Sequence, residues 1–363
     1  MSKFLRSPWL EVNVMLFVLI LSYAGLALIG WGAETPPGGM SGSAIFGYLL
    51  GFFFLSFAIA LVAVIGGIGG GVLFTPFMLA FTSVDSLIIR ATGLIVAMFS
   101  GLVSTGPFTK RGLANIRICI FLAAAYGVGA FSGAQGAIYV AKHLGETGEG
   151  IVRLALGLIL FSLAIYFIVG GKKIEWPEVK HEDDFTKRLQ LAQPYYEESL
   201  QKVIDYPLTR AKLALVAIVG VGLLSGFFGL GAGWAIVPAQ NVIMAVPLKV
   251  AAANSGVLLG MGDCIAVWPY LLVGAIIPLF AAPWLVGQVL GGLLGALILI
   301  RVKAGFVRFL LIGFMLFACF GLLTKGMGML GVIGKVPIWI NGAVFLAIIA
   351  WVTRAILKHL KSE

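Results

Sequence analysis

The sequence predicts an all-α polytopic membrane protein of about ten transmembrane helices, built on two homologous four-helix repeats with glycine-rich broken or re-entrant helices. Three observations predict it. Hydrophobic residues make up 60% of the 363-residue chain and charged residues only 11%, whereas a soluble domain is about a quarter charged. So few charges cannot cover a surface facing water, and the solvent must be lipid. Ten windows reach the roughly 20 apolar residues that a spanning helix needs. One glycine–proline signature also occurs twice at a fixed spacing. The composition excludes a soluble enzyme, a disordered chain and a nucleic-acid binder.

In chain order the windows are 12–31, 44–66, 86–108, 116–141 and 151–170, then 213–230, 249–273, 275–300, 304–324 and 337–357. The first follows Lys3 and Arg6 and lacks a small-residue cleavage pattern, so it is expected to stay as a helix. A polar segment from Gly171 to Thr209, with Pro177, Pro194 and Pro207, separates the halves. It reads as an extramembrane linker with one short helix around 185–193. The expected organisation is therefore 1–43 (extra helix and loop), 44–170 (repeat 1), 171–209 (linker), 210–325 (repeat 2) and 326–363 (extra helix and basic tail).

From Lys172 to Lys212 eight basic residues offset eight acidic ones, so the other 17 basic and 7 acidic residues supply the net charge of +10. Most of those stand at the ends of apolar runs, which is the topology signal of Lys and Arg and not a phosphate-tracking patch. The count on the two sides turns on the linker and favours a cytoplasmic linker. Cys119, Cys264 and Cys319 lie inside apolar runs without CxxC spacing, and His143, His181 and His359 fall in polar connections. No disulfide, metal site or cofactor is expected. No nucleophile–base pair stands out, so the chain is not read as an enzyme.

The repeat is visible residue by residue. Gly67-Ile68-Gly69-Gly70-Gly71 precedes Pro76 by the same interval at which Gly229-Leu230-Gly231-Ala232-Gly233 precedes Pro238, an offset of 162. Ala91-Thr92-Gly93 then falls on Ala253-Asn254-Ser255, Pro107 on Pro269 and Gly112 on Gly274. Duplication of this kind is how secondary transporters are built, with the substrate at the interface of the halves. Whether the repeats run parallel or inverted depends on whether 72–82 and 234–246 cross the membrane or turn back inside it.

Five glycines within Gly66–Gly71 disfavour a continuous helix, since each costs about 1 kcal/mol against alanine. A broken helix at membrane depth exposes backbone N–H groups and the positive end of its dipole, which together suit an anion. The expected substrate site is thus Gly69, Gly70, Gly71, Gly231, Ala232 and Gly233, with the polar side chains Thr75, Thr92, Asn254 and Ser255 supplying further donors. Gln240 and Asn241 are weaker candidates. The competing reading of the glycines is close helix packing. Asp263, on a face with Gly256 and Gly260, is a candidate for proton coupling or a structural group. Asn254 lies nine residues away, about half a turn round, so the two cannot line one cavity on an unbroken helix. Arg90 is read either as an anion-steering group or as an arginine snorkelling to the headgroups. Arg153 and Arg308 are read as interfacial anchors.

The two glycine segments followed by proline, the Ala-Thr and Ala-Asn-Ser stretches after them, and the paired four-helix halves resemble the TauE/SafE sulfite exporter family over about residues 44–325. The resemblance implies a cell-membrane (inner-membrane) transporter of sulfur-containing anions such as sulfite, thiosulfate or an organosulfonate. The long linker, the extra terminal helices and Ala232 depart from the family pattern. The expected partners are that small sulfur-containing anion and the lipid bilayer, with no nucleic acid; homo-oligomerisation stays open. An anion channel and a non-transporting membrane assembly or sensor subunit are the alternative readings.

Overall fold

In the computed structural model, residues 41–65, 70–82, 84–170, 182–197, 200–301 and 304–334 are described, with isolated positions elsewhere. The windows 12–31 and 337–357 and part of the first glycine run, Gly66–Gly69, lie outside the continuously described residues. The helices are α1 (Gly42–Ile65), α2 (Gly71–Phe81), α3 (Ser86–Lys110), α4 (Ile116–Gly170) and, in the linker, α5 (Asp184–Leu189). A two-stranded antiparallel hairpin follows, β1 (Tyr195–Glu197) and β2 (Lys202–Ile204). The second half holds α6 (Ala211–Phe228), α7 (Gly233–Pro238) continued by a π-helical turn at Ala239–Ile243, α8 (Leu248–Leu272), α9 (Pro278–Arg301) and α10 (Ala304–Met329).

Six helices among the described residues are long and apolar enough to cross a membrane. Large apolar side chains such as Val216 and Leu272 are 70% and 78% exposed, which suits contact with lipid and not with water. The most enclosed helix is α8, with 78% of its spanning window buried against 39% for α1 and α6. The windows 116–141 and 151–170 form the two arms of α4. Gly145, at φ 50° and ψ −140°, reverses the chain between them, a conformation that glycine adopts without strain.

Helix boundaries in the two halves fall 162 residues apart: Gly71 and Gly233 start α2 and α7, Ser86 and Leu248 start α3 and α8, and Lys110 and Leu272 end them. Gly112 and Gly274 follow at φ 66° and 71°, the left-handed residue that commonly terminates a helix. The matched helices α3 and α8 run antiparallel. Met98 meets Cys264, Gly101 meets Gly256 and Gly260, and Ser104 meets Gly256.

The segment after the second break turns back. α6 starts at Ala211, and the chain returns to the same end at Met244, whose carbonyl accepts from the Thr209 amide at 3.3 Å. Likewise α2 lies along the first half of α3, with Phe74, Met78, Ile89 and Val96 in one cluster. The ends of the molecule can therefore be named from α3. One end carries Ser86 and Arg90, and the other, the linker end, carries Lys110.

Small residues bring the helices together. On α4 and α6, Gly129 and Gly133 lie against the carbonyls of Val219 and Leu223, while Gly222 and Gly226 lie against those of Tyr126 and Ala130. On α9 and α1, Gly287, Gly291 and Gly295 lie against the carbonyls of Phe53, Phe57 and Leu61. A Cβ at any of these glycines would strike backbone. That contact is how helices associate in lipid, where the hydrophobic effect gives no drive between them.

Candidate functional site

The two breaks meet in the interior. A Cβ on Gly71 would strike the Leu230 carbonyl and the Gly93 carbonyl, and one on Gly231 would strike Ala97. Gly229 and Gly231 hold φ 66° and 64°, so left-handed backbone, which needs glycine, separates α6 from α7. Thr75 ties the breaks together by donating to the Gly229 carbonyl at 2.6 Å. In the first break the Gly70 amide donates to the Ser100 hydroxyl at 3.2 Å.

Each break faces one polar side chain from the other half. Gln288 of α9 stands over Gly70. At the second break, Tyr126 of α4 faces the Ala232 amide. Tyr126 also donates to Asp263 Oδ1 at 2.7 Å, and Ser225 donates to the same oxygen at 3.0 Å. Asp263 is fully buried, and its Oδ2, beside Gly231, has no hydrogen-bond partner among the described residues.

Between α3 and α8 the residues Val64, Ser100, Gly101, Ser104, Phe108, Ala252, Ser255, Gly256 and Leu259 enclose a cavity of about 10 Å³. That is about the space of one water. The Ser100, Ser104 and Ser255 hydroxyls donate to carbonyls of their own helices at 2.9, 2.9 and 2.7 Å. They can rotate to donate to a guest. The cavity lining holds no charged side chain among the described residues, so an anion would be held by hydroxyls and amides and would not be trapped by a buried cation.

The predicted site residues separate into groups. Gly70, Gly71, Thr75, Gly231, Ala232 and Gly233 sit at the junction of the breaks, and Ser255 lines the small cavity; Gly69 lies outside the described residues. Thr92 is buried on α3, its hydroxyl without a partner among the described residues. Asn254 faces away from the Asp263 cluster, accepting from the Asn115 amide at 2.7 Å and donating to Gln240 at 2.8 Å. Helix α8 is continuous between Asn254 and Asp263, so their half-turn separation persists.

Arg90 is buried and paired within the protein. It is 1% exposed, and its guanidinium bonds both carboxylate oxygens of Glu149 at 2.7 and 2.6 Å. It also donates to the Phe227 carbonyl at 3.3 Å, at the end of α6. Arg153 shares Glu149 at 2.9 Å and is buried too, so it is part of this triad and not an interfacial anchor. The side chain of Arg308 lies outside the described residues.

Sequence reading missed Tyr126, Ser225, Gln288, Ser100 and Glu149. A signal for one pair was present, because Tyr126 and Gln288 are also 162 residues apart, two polar residues at matched places in apolar helices. The described part of the linker, 182–197 and 200–209, holds a short helix and a hairpin. Its short helix α5 covers part of the expected 185–193 stretch.

Discontinuous helices that meet inside a multi-pass helical protein, walled by small neutral polar groups, are the construction of a membrane transporter. Residues 52–322 match the family model described as Sulfite exporter TauE/SafE, and the chain belongs to that family. It is 26% identical over 241 residues, 64% of this chain and 81% of the other, to the Probable membrane transporter protein YunE of Bacillus subtilis (strain 168). No solved structure matches.

Proposed function

We propose that the protein is a secondary transporter, working as an exporter, of a small sulfur-containing anion such as sulfite, thiosulfate or an organosulfonate. In this reading ten spans contain two inverted four-helix repeats, and alternating access proceeds around the paired breaks in the inner membrane. The observation that carries it is the meeting of the breaks between antiparallel α3 and α8, beside three rotatable serine hydroxyls. The 162-residue offset of the helix boundaries supports the repeats, and the antiparallel course of α3 and α8 supports inversion.

Rocking of one half against the other would open the one-water cavity to either side in turn. The sequence has no phosphate-binding GxxxxGK[ST] loop, and in this reading the drive comes from a gradient or from a partner. Asp263 is the proposed proton carrier. It is the acid closest to the breaks, and its free oxygen faces Gly231.

The test is flux in proteoliposomes against a panel of sulfite, thiosulfate, sulfate, taurine and chloride. Saturable flux of a sulfur anion, lost in Ser100→Val and Ser255→Val variants that remain folded, is the expected result. Flux linear in concentration would favour the anion-channel reading. No flux of any panel member would overturn transport of this class.

A further inference from the structure

The linker end holds a second cavity, of about 280 Å³, lined by Lys110, Arg111, Leu113, Tyr196, Glu197, Lys249 and Ile300. That volume admits a small oxyanion together with water. Its described lining carries three cations and one carboxylate. The carboxylate comes from the linker: Glu197, on β1, is 1% exposed and bonds the Lys249 ammonium at 2.6 Å. Lys249 is 2% exposed and also donates to the Ile300 carbonyl at 3.1 Å.

This cavity lies close to the small inner one along α3 and α8. Phe108 and Ala252 line the inner cavity, while Lys110 and Lys249 on the same two helices line the outer. Those residues are two and three apart in sequence, so the step inward is less than one helical turn. The linker is also joined to the interior through Asn115. Its side-chain amide donates to the Leu191 carbonyl at 2.7 Å and to the Tyr206 hydroxyl at 2.9 Å, and its backbone amide donates to Asn254.

We propose that this vestibule is an outer anion site, that its ligand is a small oxyanion bound at Lys249, and that Glu197 is a tethered carboxylate which the anion displaces. The inference rests on the transport reading for the identity of the anion, but its own chemistry is local. Removing a partner from a buried charge is costly. Exchange of carboxylate for incoming anion avoids that cost, because Lys249 stays paired throughout. The element that must move is short: β1 and β2 have three residues each, held inward by Tyr195 in the core and by Glu197. An anion at Lys249 releases the second of these two ties and so loosens the hairpin.

The experiment measures amide hydrogen exchange of residues 195–204 in the purified full chain, with thiosulfate or sulfite as probe and chloride at equal ionic strength as control. Exchange is expected to rise by about tenfold or more with the sulfur anion, in the range of ordinary site–site couplings. In parallel, Glu197→Gln should lower the half-saturating anion concentration for flux from the linker side by about tenfold. The neutral pair Glu197→Gln with Lys249→Gln keeps the fold accessible if the single variant does not fold, and it should lose the hairpin response. Unchanged hairpin exchange at anion concentrations that saturate flux would overturn the outer site, as would a response that survives in the neutral pair. A hairpin response without flux in the native protein would instead sink the transport reading and leave the outer site standing.

Discussion

The Thr75 hydroxyl donates to the Gly229 carbonyl at 2.6 Å, joining residues 154 apart in sequence and one on each break. Gly93 lies directly beneath the pair, where a Cβ would strike both oxygens. The breaks are thus not two independent defects. One hydrogen bond joins the segment after the first break to the start of the second. Thr75→Val keeps the shape and deletes the donor, leaving a buried carbonyl short of a partner, which costs about 1–3 kcal/mol. Thermal unfolding in detergent should show that loss. An unchanged melting temperature would mean that another donor takes over.

The Arg90–Glu149–Arg153 triad fixes the kink of α4 against the start of α3 and the end of α6. Glu149→Gln leaves two buried guanidiniums without their anion. A destabilisation of about 3–5 kcal/mol is expected, visible as a large fall in melting temperature or in folded yield. A neutral outcome would show that water reaches the triad.

The α4–α6 seam gives a paired comparison. Gly226→Val places side-chain atoms against the Ala130 carbonyl, whereas Gly220 on the same helix faces open space. Overpacking of a close seam costs about 1–3 kcal/mol. Gly226→Val should therefore lower the melting temperature, while Gly220→Ala should hold or slightly raise it. Equal effects at both positions would contradict the seam.

Asp263→Asn preserves acceptance from Tyr126 and Ser225 through its amide oxygen but cannot carry a proton. The variant should stay folded and lose proton-gradient-driven accumulation while retaining anion exchange down a concentration gradient. Accumulation equal to that of the native protein would remove Asp263 from coupling.

The docked linker has its own pH window. Asp183 caps α5 and accepts from the Thr186 hydroxyl and amide and from the Arg210 amide, and the Thr186 hydroxyl bond leads in holding its carboxyl below the usual 3.8. Burial pushes the Tyr206 hydroxyl up from 10.0 to about 12. A depressed acid contributes stability above its unfolded pKa and loses it as pH falls through the folded value. A raised phenol contributes below its unfolded pKa and loses it as pH rises through about 12. The anisotropy of a fluorophore at Lys187→Cys should therefore hold steady between about pH 4 and pH 10 and fall outside that window. A flat profile from about pH 2 to pH 12 would contradict the linkage.

The breaks were legible because glycine and proline act on their own backbone. Gly70 and Gly231 disfavour a continuous helix wherever the rest of the chain lies, and the constant offset to Pro76 and Pro238 matches the spacing of the helix starts Gly71 and Gly233. The partners of the breaks were not legible, because Tyr126, Ser225 and Gln288 reach them from helices far along the chain. Periodicity says which face a residue occupies but not what stands opposite. Glu149 was hidden by its neighbours: the polar run around Gly145 reads as a connection between two helices, which it is, but just past the turn the chain buries the acid. In the linker, prolines and the lack of a long apolar stretch suggested an extramembrane connection, and partners far along the chain, Lys249 for Glu197 and Asn115 for Leu191 and Tyr206, are what dock it.

In the proposed transport cycle the serine-lined space between α3 and α8 opens to water and receives the anion. A cysteine-accessibility measurement tests this most directly. Cys119, Cys264 and Cys319 are replaced by alanine, Ser104→Cys is introduced, and the protein in proteoliposomes is treated with a membrane-impermeant thiosulfonate. The expected labelling depends on the side of addition and is suppressed by saturating sulfite or thiosulfate but not by chloride. Complete inertness from both sides, or labelling that no anion suppresses, would contradict it.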